Sequence, residues 1–170
     1  TFLWFEDKTP AIVPRLEAGE LDAAIVALEA DLPELAHVVI GSDDFVFAAA
    51  HDHRLSADRG AIGLEALEGE EVLLLDDGHC FREQVLAACG AATNEADFRA
   101  TSLQTLVQVA AQGRAVTLLP SLAVAVENRT GVLTLRRFKK APSRTLALVW
   151  RPHSPLGETL RAIGAVLASP

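Results

Sequence analysis

Cations are scarce in this chain, cysteines are scarcer, and no apolar run is long. Fifteen Lys and Arg stand against 23 Asp and Glu, for a net charge of -8. Phosphate contacts need clustered Lys and Arg, so the chain by itself is not built to bind nucleic acid through bulk electrostatics. Two cysteines with no secretion signal fit a reducing cytoplasm, where a disulfide is more often transient than structural. Their spacing is not that of a Cys-x-x-Cys oxidoreductase, and no zinc-ligand set accompanies them. The longest apolar run, Leu118 to Val126, is broken by Pro120 and Ser121 and is too short to span a bilayer. There is no internal repeat, low-complexity tract or signal peptide. Thr1 opens directly in an apolar run without an initiating Met, which reads as a fragment of a longer protein.

What is present is a foldable core. Half of the 170 residues are hydrophobic, enough for one domain or two small lobes. Phe2 to Phe5 reads as a strand. Thr9-Pro10 is an N-cap with a proline at the helix start, and the helix ends at Gly19. Asp22 to Leu28 is a second strand, which makes a βαβ unit and implies a parallel sheet covered by helices. Gly41 to Asp44 reads as a turn and a crossover between lobes, followed by a strand from Phe45 to Ala50 and a polar loop from His51 to Asp58. The alternation then resumes. Strands are expected at Val72 to Leu75, Phe98 to Ala100, Val116 to Leu119, Val132 to Phe138 and Arg144 to Arg151. Helices are expected from Cys80 to about Ala88, from Ser102 to Gln112 ended by Gly113, and from Pro155 to Ala168. The fold class is therefore α/β, with two Rossmann-like lobes joined by crossover strands. One lobe is placed at 1–43 plus 145–170 and the other at 44–144.

Asp76-Asp77-Gly78-His79-Cys80-Phe81-Arg82-Glu83-Gln84 sits where a buried strand ends and a helix begins, the place where ligands gather in an open α/β sheet. A thiol at a helix N-terminus has its thiolate stabilised by unpaired N–H groups and the helix dipole, and His79 and Arg82 are placed to add to this. Asp76, Asp77 and Glu83 oppose it. In one α-helix the nine steps from Cys80 to Cys89 amount to roughly 13 Å of rise and a half-turn of residual rotation. A disulfide needs Cα atoms about 4.4 to 6.8 Å apart, so the two cannot bridge while the helix is intact. The plain alternative is that both thiols are small buried hydrophobes.

The stretch GHCFREQVLAAC resembles the peroxide-sensing OxyR branch of the LysR-type transcriptional regulators. FRATSLQTLVQVAAQGRAVTLLPSLAV, RTLALVWRPHSPL and RLEAGELDAAIVAL are similar to the same family's regulatory domain, so the resemblance covers essentially the whole chain. It implies a periplasmic-binding-protein-like fold whose first strand and helix of the first lobe lie upstream of Thr1, together with a second pocket threonine, the DNA-binding domain and its linker helix. It implies that hydrogen peroxide converts Cys80 to a sulfenic acid and that Cys89 resolves it to a disulfide that remodels the domain. Thr9, His79, Arg82 and Gln84 would hold the peroxide or support the loop, and donors of this kind stabilise a leaving hydroxide. No cofactor or metal is implied, and the switch is stoichiometric, not enzymatic. The implied partners are a second copy in a dimer, a tetramer of the full-length protein, and DNA and RNA polymerase through that protein, with glutaredoxin or thioredoxin as reductant. The implied setting is the cytoplasm, with no membrane. Departures from the family pattern are a shortened segment from Cys89 to Phe98, Asp97 in place of a histidine, and Arg114-Ala115 in a glycine-rich turn.

Other features admit rival readings. Thr101-Ser102 at a helix start suits a carboxylate ligand, the mark of a non-redox effector-binding domain of the same fold, or serves only as an N-cap. His51-Asp52-His53 resembles a metal pair but lacks a third ligand, and reads as a solvated loop. Arg136, Arg137, Lys139, Lys140 and Arg144 read as a solvated edge. A thiol peroxidase is the enzymatic rival.

Overall fold

The computed structural model describes residues 2–30, 32–76, 80–89 and 94–169, except for the side chains of residues 80, 81 and 87–89. The elements are α1 (Thr9–Glu17), β1 (Ala24–Ala27), β2 (Ala36–Ala50), β3 (Glu71–Leu75), α2 (Cys80–Cys89), β4 (Asn94–Ala100), α3 (Leu103–Ala110), β5 (Thr117–Pro120), α4 (Ser121–Glu127), β6 (Leu133–Arg137), β7 (Ser143–Trp150) and α5 (Gly157–Leu167). Two compact units result. Thr1–Ser42 and Arg144–Pro170 make the first, which also takes in Cys80; Asp43–Asp77 and Phe81–Ser143 make the second. No helix among the described residues is long and apolar enough to cross a membrane.

In the first unit β1 pairs antiparallel with β7, Val26 opposite Ala147, and β7 is hydrogen-bonded in turn to β2. Successive side chains of a strand point to opposite faces, and β7 buries both sets. Ala147 and Val149 pack with Leu16 of α1 and Val26, while Leu148 and Trp150 pack with Leu160 of α5. Gly164 lets α5 lie close to the sheet, since a Cβ there would fall 2.0 Å from Cγ1 of Val38. Helix α1 ends as the sequence predicts, at Gly19 with φ +81°, a conformation that costs other L-residues roughly 1–2 kcal/mol. Its last carbonyls are capped by Arg151, whose Nη1 donates to the oxygens of Leu16 (2.6 Å) and Leu21 (2.9 Å).

In the second unit β2 is the centre, paired antiparallel with β5 on one side and β6 on the other, so that Phe47 faces Leu118 and Arg136. The main core surrounds it: Phe45, Phe47, Leu67, Leu73, Leu74, Leu106, Leu118 and Leu119 are almost wholly buried. β3 and β4 form a parallel pair whose register shifts between Val72 and Leu74, and Val116 joins this pair to the chain entering β5.

Several expectations are corrected. Phe2 to Phe5 is not a strand; the four side chains are exposed and no described strand pairs with them, and an extended segment becomes a strand only against a partner edge. Gly41 to Asp44 is not a turn but the middle of the fifteen-residue β2. Its polar composition has another cause: Asp43 is buried and its Oδ1 accepts from the N–H of Leu122 at 3.0 Å, capping α4. Helix α4, which sequence reading passed over as an apolar run, starts directly after Pro120. The β1–β7, β2–β5 and β2–β6 pairs are antiparallel, and β3–β4 is parallel.

Candidate functional site

The parallel pair aims two helices at one end of the second unit. β3 leads to α2, which begins at Cys80, and β4 leads to α3, whose N-cap is Ser102. Asp76 N–H donates to Ala100 O at 2.8 Å, tying the two strand ends together. The first four N–H groups of a helix lack intrahelical acceptors and carry the positive end of its dipole, so Cys80 occupies a position that favours thiolate.

Cys89 closes the same helix, one residue beyond the expected end. With α2 formed, the two Cα atoms are on the order of 13 Å apart by helical rise, twice the span of a disulfide. Among the described side chains of the helix between them, Val85 reaches the core and Arg82 is buried, while Glu83 and Leu86 are exposed.

Gln84 stands four residues after Cys80, and residues at that interval share a helix face. Its side-chain Nε2 and Oε1 are both buried and neither has a hydrogen-bond partner. A buried amide without partners costs roughly 1–3 kcal/mol, which a small ligand carrying both a donor and an acceptor would recover. Arg82, two residues after Cys80, faces Glu95 of β4 in a two-pronged ion pair, Nη1 to Oε1 at 2.8 Å and Nη2 to Oε2 at 2.9 Å. Arg99 adds a third contact to Glu95 at 3.3 Å. Sequence reading missed Glu95, because no pattern links positions 82 and 95; only the fold brings β4 under α2.

The hydrogen bond from Arg82 is the largest influence and lowers the Glu95 carboxyl; burial opposes it, and the charges of Arg82 and Arg99 keep the net shift below the ordinary range. A carboxylate with a lowered folded-state pKa stabilises the fold above the unfolded value, about 4.3 for glutamate, and that contribution disappears as pH falls through the lowered value. Urea midpoints measured at pH 6 and pH 3 should therefore differ less in Glu95→Gln than in the wild type. Equal differences would remove Glu95 from the acid response.

The remaining expected residues are distributed as follows. Thr9 is the first residue of α1, with Lys8 rather than Thr9 as N-cap, and it is half-buried in the first unit. His79 lies outside the described residues. Ser102 is an N-cap: its hydroxyl accepts from Thr105 N–H at 3.2 Å. His51 engages Thr134 Oγ1 and Gly131 O, both at 2.8 Å. His53 accepts from Leu55 N–H and faces Glu70, which also pairs with Arg54. Among the described residues no group of three or more potential ligands could hold a metal ion. Arg136 is not part of a solvated edge; it is buried and donates to Gly60 O (2.8 Å), Leu55 O (2.7 Å) and Asp58 (3.0 Å).

Comparison with known proteins gives these features a context. The model of the LysR substrate binding domain matches residues 2–169. The hydrogen peroxide-inducible genes activator of Dickeya chrysanthemi is 41% identical over 154 residues, covering 89% of this chain and 50% of that protein, so the chain spans about half the length of this relative. A crystal structure of the reduced form of OxyR superposes with a TM-score of 0.86 at 33% identity, covering 96% of this chain and 78% of that one. A cysteine-to-serine variant of Corynebacterium glutamicum OxyR with bound hydrogen peroxide gives 0.86 at 31% identity, covering 95% and 53%. The chain belongs to the LysR substrate binding domain family, and within it to the OxyR regulatory domains.

Proposed function

We propose that this chain is the sensing domain of a LysR-type transcription regulator and that hydrogen peroxide is its signal. The observation that carries the reading is the buried, unpartnered amide of Gln84 on the helix face that Cys80 begins. Peroxide is small, neutral, and both donor and acceptor, as that amide requires.

The chemistry is a two-step oxidation. The Cys80 thiolate attacks one peroxide oxygen; the S–O bond forms, the O–O bond breaks, and hydroxide departs to take up a proton as water. Sulfur is oxidised to sulfenic acid and the peroxide oxygens are reduced. The Cys89 thiol then attacks the sulfenic sulfur, the S–S bond forms, the S–O bond breaks, and the hydroxyl leaves as a second water with the proton from Cys89. Gln84, with Thr9 and His79, supplies hydrogen bonds to the leaving oxygen. Arg82 acts from its place against Glu95, supporting the helix that carries the thiols. The disulfide cannot close on an intact α2, so the second step converts a chemical signal into a conformational one. In the full-length protein that change repacks a dimer or tetramer and alters contacts with DNA and RNA polymerase. Glutaredoxin or thioredoxin returns the pair to thiols.

One measurement decides the chemistry. The reduced chain is treated with a stoichiometric amount of peroxide and its thiols are mapped by mass spectrometry. The expected product has lost two hydrogens across Cys80 and Cys89; their retention would exclude the disulfide. Repeated peroxide consumption in the presence of a reductant would instead mark a thiol peroxidase.

A further inference from the structure

Cys80 and Cys89 are separated by a helix, and what holds that helix decides how readily they meet. Val85 is its described core contact. Its other internal anchor is Arg82, whose guanidinium is buried on the sheet side against Glu95. Glu95 lies in a strand: it is the second residue of β4 and is paired with Val72 of β3. The ion pair therefore fastens the first turn of α2 to the sheet. Nη2 donates to Oε2 at 2.9 Å and Nη1 lies 2.8 Å from Oε1, so both arms of the guanidinium meet the carboxylate, as a single lysine contact would not. Arg99 keeps a second cation on the same carboxylate at 3.3 Å. A helical turn that unwinds carries residue 82 off the face that reaches Glu95, since side-chain direction follows the 3.6-residue period.

We infer that Glu95 is a positioning residue for the redox reaction, gripping Arg82 so that α2 stays helical and the two cysteines stay apart until the disulfide pulls the latch open. The inference rests on the thiol chemistry proposed above. It assigns Glu95 to the energy difference between the dithiol and disulfide states rather than to the chemical attack, because the ion pair is a contact of helical α2. Removing it makes the disulfide easier to form and harder to reduce.

The test equilibrates the wild-type chain, Glu95→Gln and Glu95→Asp in dithiol–disulfide buffers and counts alkylated thiols. Glu95→Gln should favour the disulfide by roughly tenfold, a potential about 30 mV more negative, with Glu95→Asp between it and the wild type. Amide exchange in reduced Glu95→Gln should quicken within residues 82–89 and stay unchanged in β2 and β5. An unmoved or more positive potential overturns the latch, as does exchange that quickens throughout the second unit, the pattern of a purely structural ion pair. If Glu95→Gln does not fold, Glu95→Asp and Arg82→Lys carry the same comparison. A wild-type chain that makes no disulfide with peroxide overturns the functional reading and the latch with it; a wild-type disulfide with an unmoved Glu95→Gln potential overturns the latch alone.

Discussion

Cys80→Ser should abolish the reaction with stoichiometric peroxide, whereas Cys89→Ser should leave its first step intact and stop it there. The two cysteines occupy opposite ends of α2, and the ends differ electrostatically. The N-terminus offers unpaired N–H groups that favour a thiolate; the C-terminus offers unpaired carbonyls and the negative end of the dipole, which disfavour one. Nucleophilicity toward peroxide belongs to the thiolate, so only Cys80 is placed to attack. A serine hydroxyl is not ionised at neutral pH and cannot take its place. Mass spectrometry should find Cys80→Ser unmodified and Cys89→Ser carrying a single added oxygen on Cys80, trapped as the sulfenic acid. Oxidation of Cys89 in Cys80→Ser at the wild-type rate would reverse the assignment. The same pair of variants separates the redox reading from a non-redox effector domain, which would respond normally with serine at position 80.

Phe47→Ala should cost about 3–5 kcal/mol, the range for emptying a well-packed aromatic site, measured as a lowered urea midpoint. Phe47 is fully buried in β2, with β5 and β6 hydrogen-bonded on either side. Neighbours held by two ladders have little freedom to collapse into the gap, so the value belongs towards the upper end. Domains of this size are stable by only about 5–15 kcal/mol, so the variant is expected to populate open forms of the second unit. A midpoint shift below about 1 kcal/mol would mean that the core around β2 is more plastic than its burial indicates.

The legibility of the chain follows from how local each signal is. Cys80 and the helix behind it could be read because strand, glycine turn and helix start lie within a dozen residues, and the helix length follows from its period. Gly19 and Gly113 could be read as helix ends because both need positive φ, +81° and +86°. Gly41 misled, since in β2 it is simply extended, and the polar pair after it is explained by a contact from Asp43 to Leu122, 79 positions away. Arg136 misled for the same reason: beside Arg137, Lys139 and Lys140 it reads as surface, yet its three acceptors lie in residues 55–60, brought to it by β2–β6 pairing. Gln84 could be placed in the site by resemblance, but the absence of a partner for its amide is a fact of packing. Glu95 was legible by neither route. Its role depends on β4 running parallel to β3, a long-range property that no window of sequence contains.

The division of labour within the second unit has a consequence for the life of the protein as a material. The β5–β2–β6 platform is held by strand ladders that do not include α2, although Val85 of α2 packs into the core beside it, so the switching cycle proposed above would draw on local opening and not on global unfolding. Phe45 to Phe47 and Leu118 to Pro120, apolar strand segments suited to intermolecular β-ladders, are paired with each other and not with α2. On that proposal, repeated oxidation and reduction would leave those segments covered, and recovery after an oxidative episode would require a reductant but no refolding.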